Sequence, residues 1–173
     1  PKHYNQTIGV MRTHPIRVGG NSGPTFSEEL SWEEIAKRSG SSVPIIEYTT
    51  VTGRVRRVFE QSYEILEEAI QANQPDQLAL TFIDYINNRD YGKQSFDELS
   101  PQSRAYIDMV ETRFGVPVTL IGTGPEEHHI IDQRPERQKC YLIENGTMKA
   151  HFPSTFYGFE WDNTAVRSFL ERK

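Results

Sequence analysis

The sequence predicts an α/β fold, part of a mostly parallel sheet flanked by helices. Two observations carry this. Stretches of helical spacing alternate with short apolar runs, and two of those runs, Leu78–Ile86 and Pro117–Ile121, are nearly free of charge, as strands buried on both faces are. The turns that follow the apolar runs hold glycine, proline or a lone carboxylate, and α/β sheets bind ligands at such strand ends.

Thr7–Thr13 reads as a first strand, ending around Arg12, and Pro15–Pro24 as a loop rich in glycine and proline. Ser31–Trp32–Glu33–Glu34 has the form of a capping box, predicting a helix to about Arg38 that Gly40 stops. Val43–Val58 reads as extended. Gln61–Gln74 places Tyr63, Leu66, Ala69 and Ile70 at helical spacing, and Pro75 blocks continuation. Leu78–Ile86 is a strand with Asp84 inside it, and Asn87–Leu99 a polar surface loop. Ser100 and Pro101 start a helix that Gly115 ends, and Pro117–Ile121 is a strand running into Gly122–Thr123–Gly124. Asn145–Gly146 suits a hairpin turn between Lys139–Ile143 and Met148–Phe152, and Asn163 caps a last helix.

The 173 residues are about one domain, with formal net charge −5 and one cysteine, Cys140. Mean hydropathy is −0.63. A single cysteine excludes an internal disulfide and a cysteine-based metal site, so a reducing cytoplasm is expected. Nothing approaches the roughly 18 consecutive apolar residues of a membrane span. The acidic balance argues against a nucleic-acid partner, and no aromatics are interleaved with the arginines. Pro1 is not an initiator methionine, so the expectation is a processed or shortened product, or the second part of a longer polypeptide.

Thr49–Thr50–Val51–Thr52–Gly53–Arg54–Val55–Arg56–Arg57 carries most of the chemistry. Arginine is a rigid donor fork suited to carboxylates and phosphates, and neighbouring hydroxyls and backbone N–H groups converge on the same anions. A basic strand edge that discourages aggregation is the alternative. Asp84, a carboxylate on a buried strand, offers only acceptors and so fits the N–H edge of a guanine base. Each feature alone also fits a salt bridge or an ordinary turn.

In order, Arg12–Thr13–His14–Pro15–Ile16–Arg17–Val18–Gly19, Ser22–Gly23–Pro24, Ser31–Trp32–Glu33–Glu34, Thr49–Phe59, Leu80–Asp84 and Leu120–Pro125 resemble the C-terminal half of adenylosuccinate synthetase. The likeness covers about residues 7 to 125. The resemblance implies a ligase that joins L-aspartate to carbon 6 of a 6-oxopurine nucleotide. A 6-phosphoryl intermediate made from GTP or ATP drives the reaction, with Mg²⁺.

By position, the resemblance implies that Thr50, Val51, Thr52, Gly53 and Arg54 hold aspartate, with Arg54 forking onto its carboxylate. Val18 and Gly19 touch the acceptor nucleotide. Arg56, Phe82, Ile83, Asp84, Gly122, Thr123 and Gly124 serve the nucleoside triphosphate, with Asp84 reading the base. The wording is similar to short archaeal members and to phage members that use dGMP, so IMP and dGMP both remain open as acceptors. Phe82 stands where the bacterial pattern has a base-packing lysine, which leaves GTP and ATP open as donors.

The family's glycine-rich phosphate loop, its general base and its catalytic histidine have no counterpart here, so no catalytic residue is assigned to this chain. His128 and His129 do not match that histidine and read as surface or loop residues. The Mg²⁺ ligands are expected in the N-terminal half, which becomes a required partner, and the family's habit implies a cytoplasmic homodimer. A non-catalytic nucleotide-binding or regulatory module keeping half of the fold is the alternative.

Overall fold

A computed structural model describes residues 6–134 and, beyond them, four short backbone strands. Gln6–Ile131 is one compact unit; the other comprises Asp132–Lys173 with Pro1–Asn5. The first runs β1 (Ile8–Arg12), β2 (Ile16–Arg17), β3 (Glu29–Leu30), α1 (Trp32–Ser39), β4 (Arg57–Phe59), α2 (Tyr63–Asn73), β5 (Gln77–Thr81), α3 (Pro101–Phe114) and β6 (Val118–Gly122). β7 (Ile130–Asp132) closes it.

Serines begin all three helices. The hydroxyls of Ser31, Ser62 and Ser100 accept from the backbone N–H of Glu34, Ile65 and Ser103, each three residues on. Gly40 and Gly115 end α1 and α3 in the left-handed conformation that glycine adopts without cost. The capping box at Ser31 is only half made, because the Glu34 carboxylate is drawn instead to Arg38 at 2.8 Å.

The main sheet has the order β1-β5-β6-β7, with β1, β5 and β6 mutually parallel. Met11, Leu78, Leu80, Val118 and Ile121 pack there with Ile107 and Val110 of α3, and with Leu66 and Ile70 of α2. That burial is what sets the strand register, since a slip by one residue would turn these side chains outward. A smaller antiparallel sheet, β2-β4-β3, packs against Trp32 and Ile35 of α1.

Four sequence expectations are corrected. Ile16–Arg17 lies in the expected loop but pairs with Val58 and Arg57 of β4. Val43–Val58 is not continuously extended: it folds back through a Tyr48–Val55 bridge before β4 begins. β5 ends at Thr81, and Phe82 turns left-handed (φ +64°), so Asp84 sits in a short 3₁₀ turn after the strand. The Thr13 hydroxyl donates to the Phe82 carbonyl at 2.8 Å and offsets that turn's strain.

Asn87–Leu99, finally, is held from within. Buried Asp90 accepts from the Ser100 N–H and hydroxyl, both at 2.7 Å, and from the Ser103 hydroxyl. Asp90→Ala strips three donors of one acceptor and is expected to cost about 2–4 kcal/mol, read as a lower urea midpoint. A loss under about 0.5 kcal/mol would show that the segment is held otherwise.

Beyond residue 134, β8 (Ile143–Glu144) pairs antiparallel with β9 (Thr147–Met148) around Asn145–Gly146, as the hairpin signal predicts. β10 (Thr155–Phe156) pairs with β11 (Phe159–Glu160). The outer flanks of the expected hairpin and the final helix after Asn163 lie outside the described residues.

Candidate functional site

The parallel strands end on one side, and the residues just past β5 and β6 enclose a cavity of about 870 Å³. Phe82, Asp84, Gly122 and Gly124 line it, so four of the residues expected at the triphosphate base come together there. Pro44, Ile45 and Tyr85 add apolar walls that sequence reasoning missed. Ile83 and Thr123 do not reach the cavity. Ile83 is fully buried in the core. Thr123 is fully buried too, its hydroxyl donating to the Lys93 carbonyl (2.8 Å) and its N–H to that of His129 (2.9 Å). The hydroxyl expected to face a ligand therefore shapes the turn from behind.

Gly124 has little room. A Cβ there would meet His129 Nδ1 at 2.5 Å, and that ring packs edge-on against Tyr91. His128 is exposed, as a loop residue is, whereas His129 is half-buried and part of the turn.

Asp84 is the unusual group. It is 8% exposed, and its Oδ1 is buried without a hydrogen-bond partner. Burial pushes its carboxyl up to about 6, and nearby Arg12 only partly opposes this. A carboxylate desolvated at the wall of a cavity and short of a donor is poised for a ligand N–H.

Behind Phe82 stands a second missed residue. The Arg12 guanidinium lies over the Phe82 ring, 3.6 Å from its centroid, and forms an ion pair with Glu47. The Tyr85 hydroxyl donates to the same carboxylate at 3.1 Å, and Arg56 stands 3.7 Å from it. Burial first, then Glu47, raises the Tyr85 phenol well above its ordinary range. Arg12 closing a strand was the available signal; nothing local marked Glu47. Glu47 also accepts the Arg56 N–H through its backbone carbonyl (2.8 Å), tying the arginine loop to the cavity wall.

The loop itself is a tight hairpin. The Thr49 N–H donates to the Arg54 carbonyl (2.8 Å), the Gly53 N–H to Thr49 (3.0 Å), and the Arg54 N–H to the Thr49 hydroxyl (3.0 Å). The Thr49 and Thr52 hydroxyls bond to each other. Gly53 takes φ +61°, which a side chain would resist. Thr50, Val51, Thr52, Gly53 and Arg54 are thereby held outward, Val51 at 95% exposure.

The three arginines are separated by this geometry. Among the described residues the Arg54 side chain has no ion pair, and Arg56 faces Glu47. Arg57 forks onto Glu29 at 2.8 and 2.5 Å and donates to the Gly23 carbonyl, which makes it a clamp of the small sheet.

Because β2 pairs with β4, Val18 and Gly19 lie against Arg54 and Val55. A Cβ on Gly19 would stand 2.4 Å from the Val55 carbonyl oxygen. Gly19→Ala must push two backbones apart and is expected to cost about 1–3 kcal/mol in urea unfolding. An unchanged midpoint would mean that the two loops separate freely.

No family model matches the chain. It is 40% identical over 136 residues to the adenylosuccinate synthetase of Methanocaldococcus jannaschii, covering 79% of this chain and 37% of that protein. The Pyrococcus horikoshii adenylosuccinate synthetase is 39% identical over 134 residues, 78% of this chain and 37% of its own length. Among solved structures, the cyanophage S-2L succinoaminodeoxyadenylate synthetase bound to dGMP and dATP is similar at TM-score 0.53 and 29% identity. That match covers 74% of this chain and 33% of that one. Fully ligated adenylosuccinate synthetase from Plasmodium falciparum shares the fold at TM-score 0.60 and 21% identity, covering 75% of this chain and 40% of its own. The chain is thus a homologue of adenylosuccinate synthetase that spans little more than a third of the length of these relatives.

Proposed function

We propose that this chain is the C-terminal portion of an adenylosuccinate-synthetase-type ligase and supplies its triphosphate base site and its aspartate loop. The observation that carries this is Asp84, an unpartnered carboxylate on the wall of a strand-end cavity it shares with Phe82, Gly122 and Gly124. A donor edge such as that of guanine would satisfy it. Arg54, free at the hairpin tip beside Val18 and Gly19, forks onto the aspartate carboxylate and holds the amine near carbon 6 of the acceptor. Such positioning supplies a large part of a barrier reduction. Arg56, facing Glu47 loosely, turns to the triphosphate.

In the ligation the amine forms a bond to carbon 6 as phosphate leaves the 6-phosphoryl intermediate, and the amine proton passes to a base. None of the residues described here is assigned to that base. Nor do three His, Cys, Asp or Glu side chains converge on a metal position among the described residues, so they offer no Mg²⁺ site and no step is drawn through one. The rest of the polypeptide is the expected source of both, in a cytoplasmic enzyme.

Calorimetric titration with GTP, ATP and aspartate tests the reading, alone and with the uncovered portion of the Methanocaldococcus jannaschii enzyme co-expressed. Triphosphate binding by this chain and ligation only on co-expression are expected. Absence of both would defeat the proposal and favour a module of another kind. Arg56→Leu should raise KM for the triphosphate about 10-fold or more and leave KM for aspartate nearly unchanged. Equal losses for both substrates would deny the two arginines separate roles.

One observation favours dGMP as a second acceptor: the phage relative, 29% identical, holds dGMP and dATP. Assays of the co-expressed pair with IMP and with dGMP separate the two, and turnover with IMP alone would remove dGMP.

A further inference from the structure

The main sheet is unfinished on one side. β1 is an edge strand, paired with β5 and, among the described residues, with no other. Proteins blunt free edges by shortness, charge, proline or bulges. The opposite edge, β7, is three residues long and contains Asp132. β1 has five residues and, ahead of Arg12, reads Ile8–Gly9–Val10–Met11, with neither charge nor proline. Val10, in mid-strand, is 73% exposed, and Ile8 37%.

Beside β1 an apolar groove of about 280 Å³ runs against α2, lined by Gly9, Met11, Leu66, Ile70, Pro75 and Leu78. Gly9 keeps it open, since a Cβ there would lie 2.9 Å from Leu78 and 3.2 Å from Pro75. Met11 faces the groove side and Val10 the other, so both sides of the same edge are apolar. Parallel sheets are covered on both faces, and an apolar parallel edge is the interior surface of a wider sheet.

We propose that the β1 edge and the β1–α2 groove bind a β-strand, with its flanking apolar elements, from the remaining length of the synthetase polypeptide. The occupant follows from size: this chain spans 37% of its archaeal relatives, leaving most of such a protein to be joined somewhere. It follows also from shape, since covering Val10 and filling the groove at once takes a strand that brings its own layers. Backbone hydrogen bonds would supply affinity, and the groove would set register. The inference rests on the reading that the chain works as part of a synthetase, and it names the surface where that part is joined.

Affinity capture and hydrogen exchange test it, using this chain co-expressed with the uncovered portion of the Methanocaldococcus jannaschii enzyme, without nucleotide. Capture is expected, with amides of Ile8–Arg12 at least 10-fold better protected than in this chain alone. Val10→Lys should reduce capture at least 10-fold while the melting of the chain alone stays unchanged. Ile130→Lys, on the other edge and 48% exposed in the wild type, should capture normally. No capture by the wild type, or equal capture by Val10→Lys, would overturn the proposal. So would self-association of the chain that Val10→Lys abolishes, which would assign the edge to a second copy. Capture without ligation would leave this surface standing and remove the proposed reaction instead.

Discussion

Arg54→Leu is expected to abolish productive use of aspartate in the completed enzyme and to leave the fold of this chain intact. The two halves of that expectation come from one fact. Among the described residues the Arg54 guanidinium has no ion pair, so truncating it removes no intramolecular contact, and surface changes of that kind stay within about 0.5 kcal/mol. A charge-assisted fork onto a substrate carboxylate is different. Removing it leaves the carboxylate unpaired and costs about 3–5 kcal/mol, on the order of 10²–10³-fold or more in kcat/KM for aspartate. Arg54→Lys should recover only part of this, because an ammonium cannot fork. Melting curves and steady-state assays decide it. Normal turnover with Arg54→Leu would remove the loop from the aspartate site, and a large fall in melting temperature would make Arg54 a structural residue.

For Asp84→Asn the expected effects run in opposite directions on stability and on recognition. The folded protein holds the Asp84 carboxyl at about 6, against 3.8 ordinarily. Below about pH 4 both states carry the proton and no penalty exists. As pH rises toward 6 and beyond, the unfolded chain ionises freely while the folded chain must ionise a desolvated group, so stability is lost across that window. An amide, neutral throughout, escapes this. Asp84→Asn should therefore be about 1–3 kcal/mol more stable than the wild type at pH 7, roughly 2–8 °C in melting temperature, with the gap closing near pH 4. A pH-independent difference would show that the gain does not come from the charge.

The same carboxylate should lose its discrimination, since Asn presents a donor where Asp presents only acceptors. Preference between GTP and ATP should narrow or reverse. A ligand donor that favours the charged form should also make triphosphate binding release protons near pH 6, visible as a dependence of calorimetric heat on buffer. Unchanged base preference together with no proton release would take Asp84 out of the base site.

Much of this was legible without coordinates. Helix starts and stops are local chemistry, so Ser31, Ser62, Ser100, Gly40 and Gly115 could be read from neighbours a few residues away. The strands β1, β5 and β6 were legible as apolar runs, and the resemblance to adenylosuccinate synthetase rested on ordered segments that the relatives share. The Thr49–Arg57 loop could be recognised as an anion-binding stretch because arginine and threonine carry their chemistry wherever they stand.

Which arginine does what was not legible. Arg54, Arg56 and Arg57 look alike in sequence, and only Glu47 and Glu29, placed by the folding of distant segments, separate a free fork from a loosely held one and from a clamp. Arg12 behind Phe82, and the withdrawal of Ile83 and Thr123 from the cavity, depend on a single left-handed residue after β5 and on contacts between strand ends. By itself the sequence determined which groups were available: an aspartate-type loop, a base-reading carboxylate and glycine turns. Tertiary structure decided their assignments, because burial and the pairing of charges are properties of segments far apart in the chain.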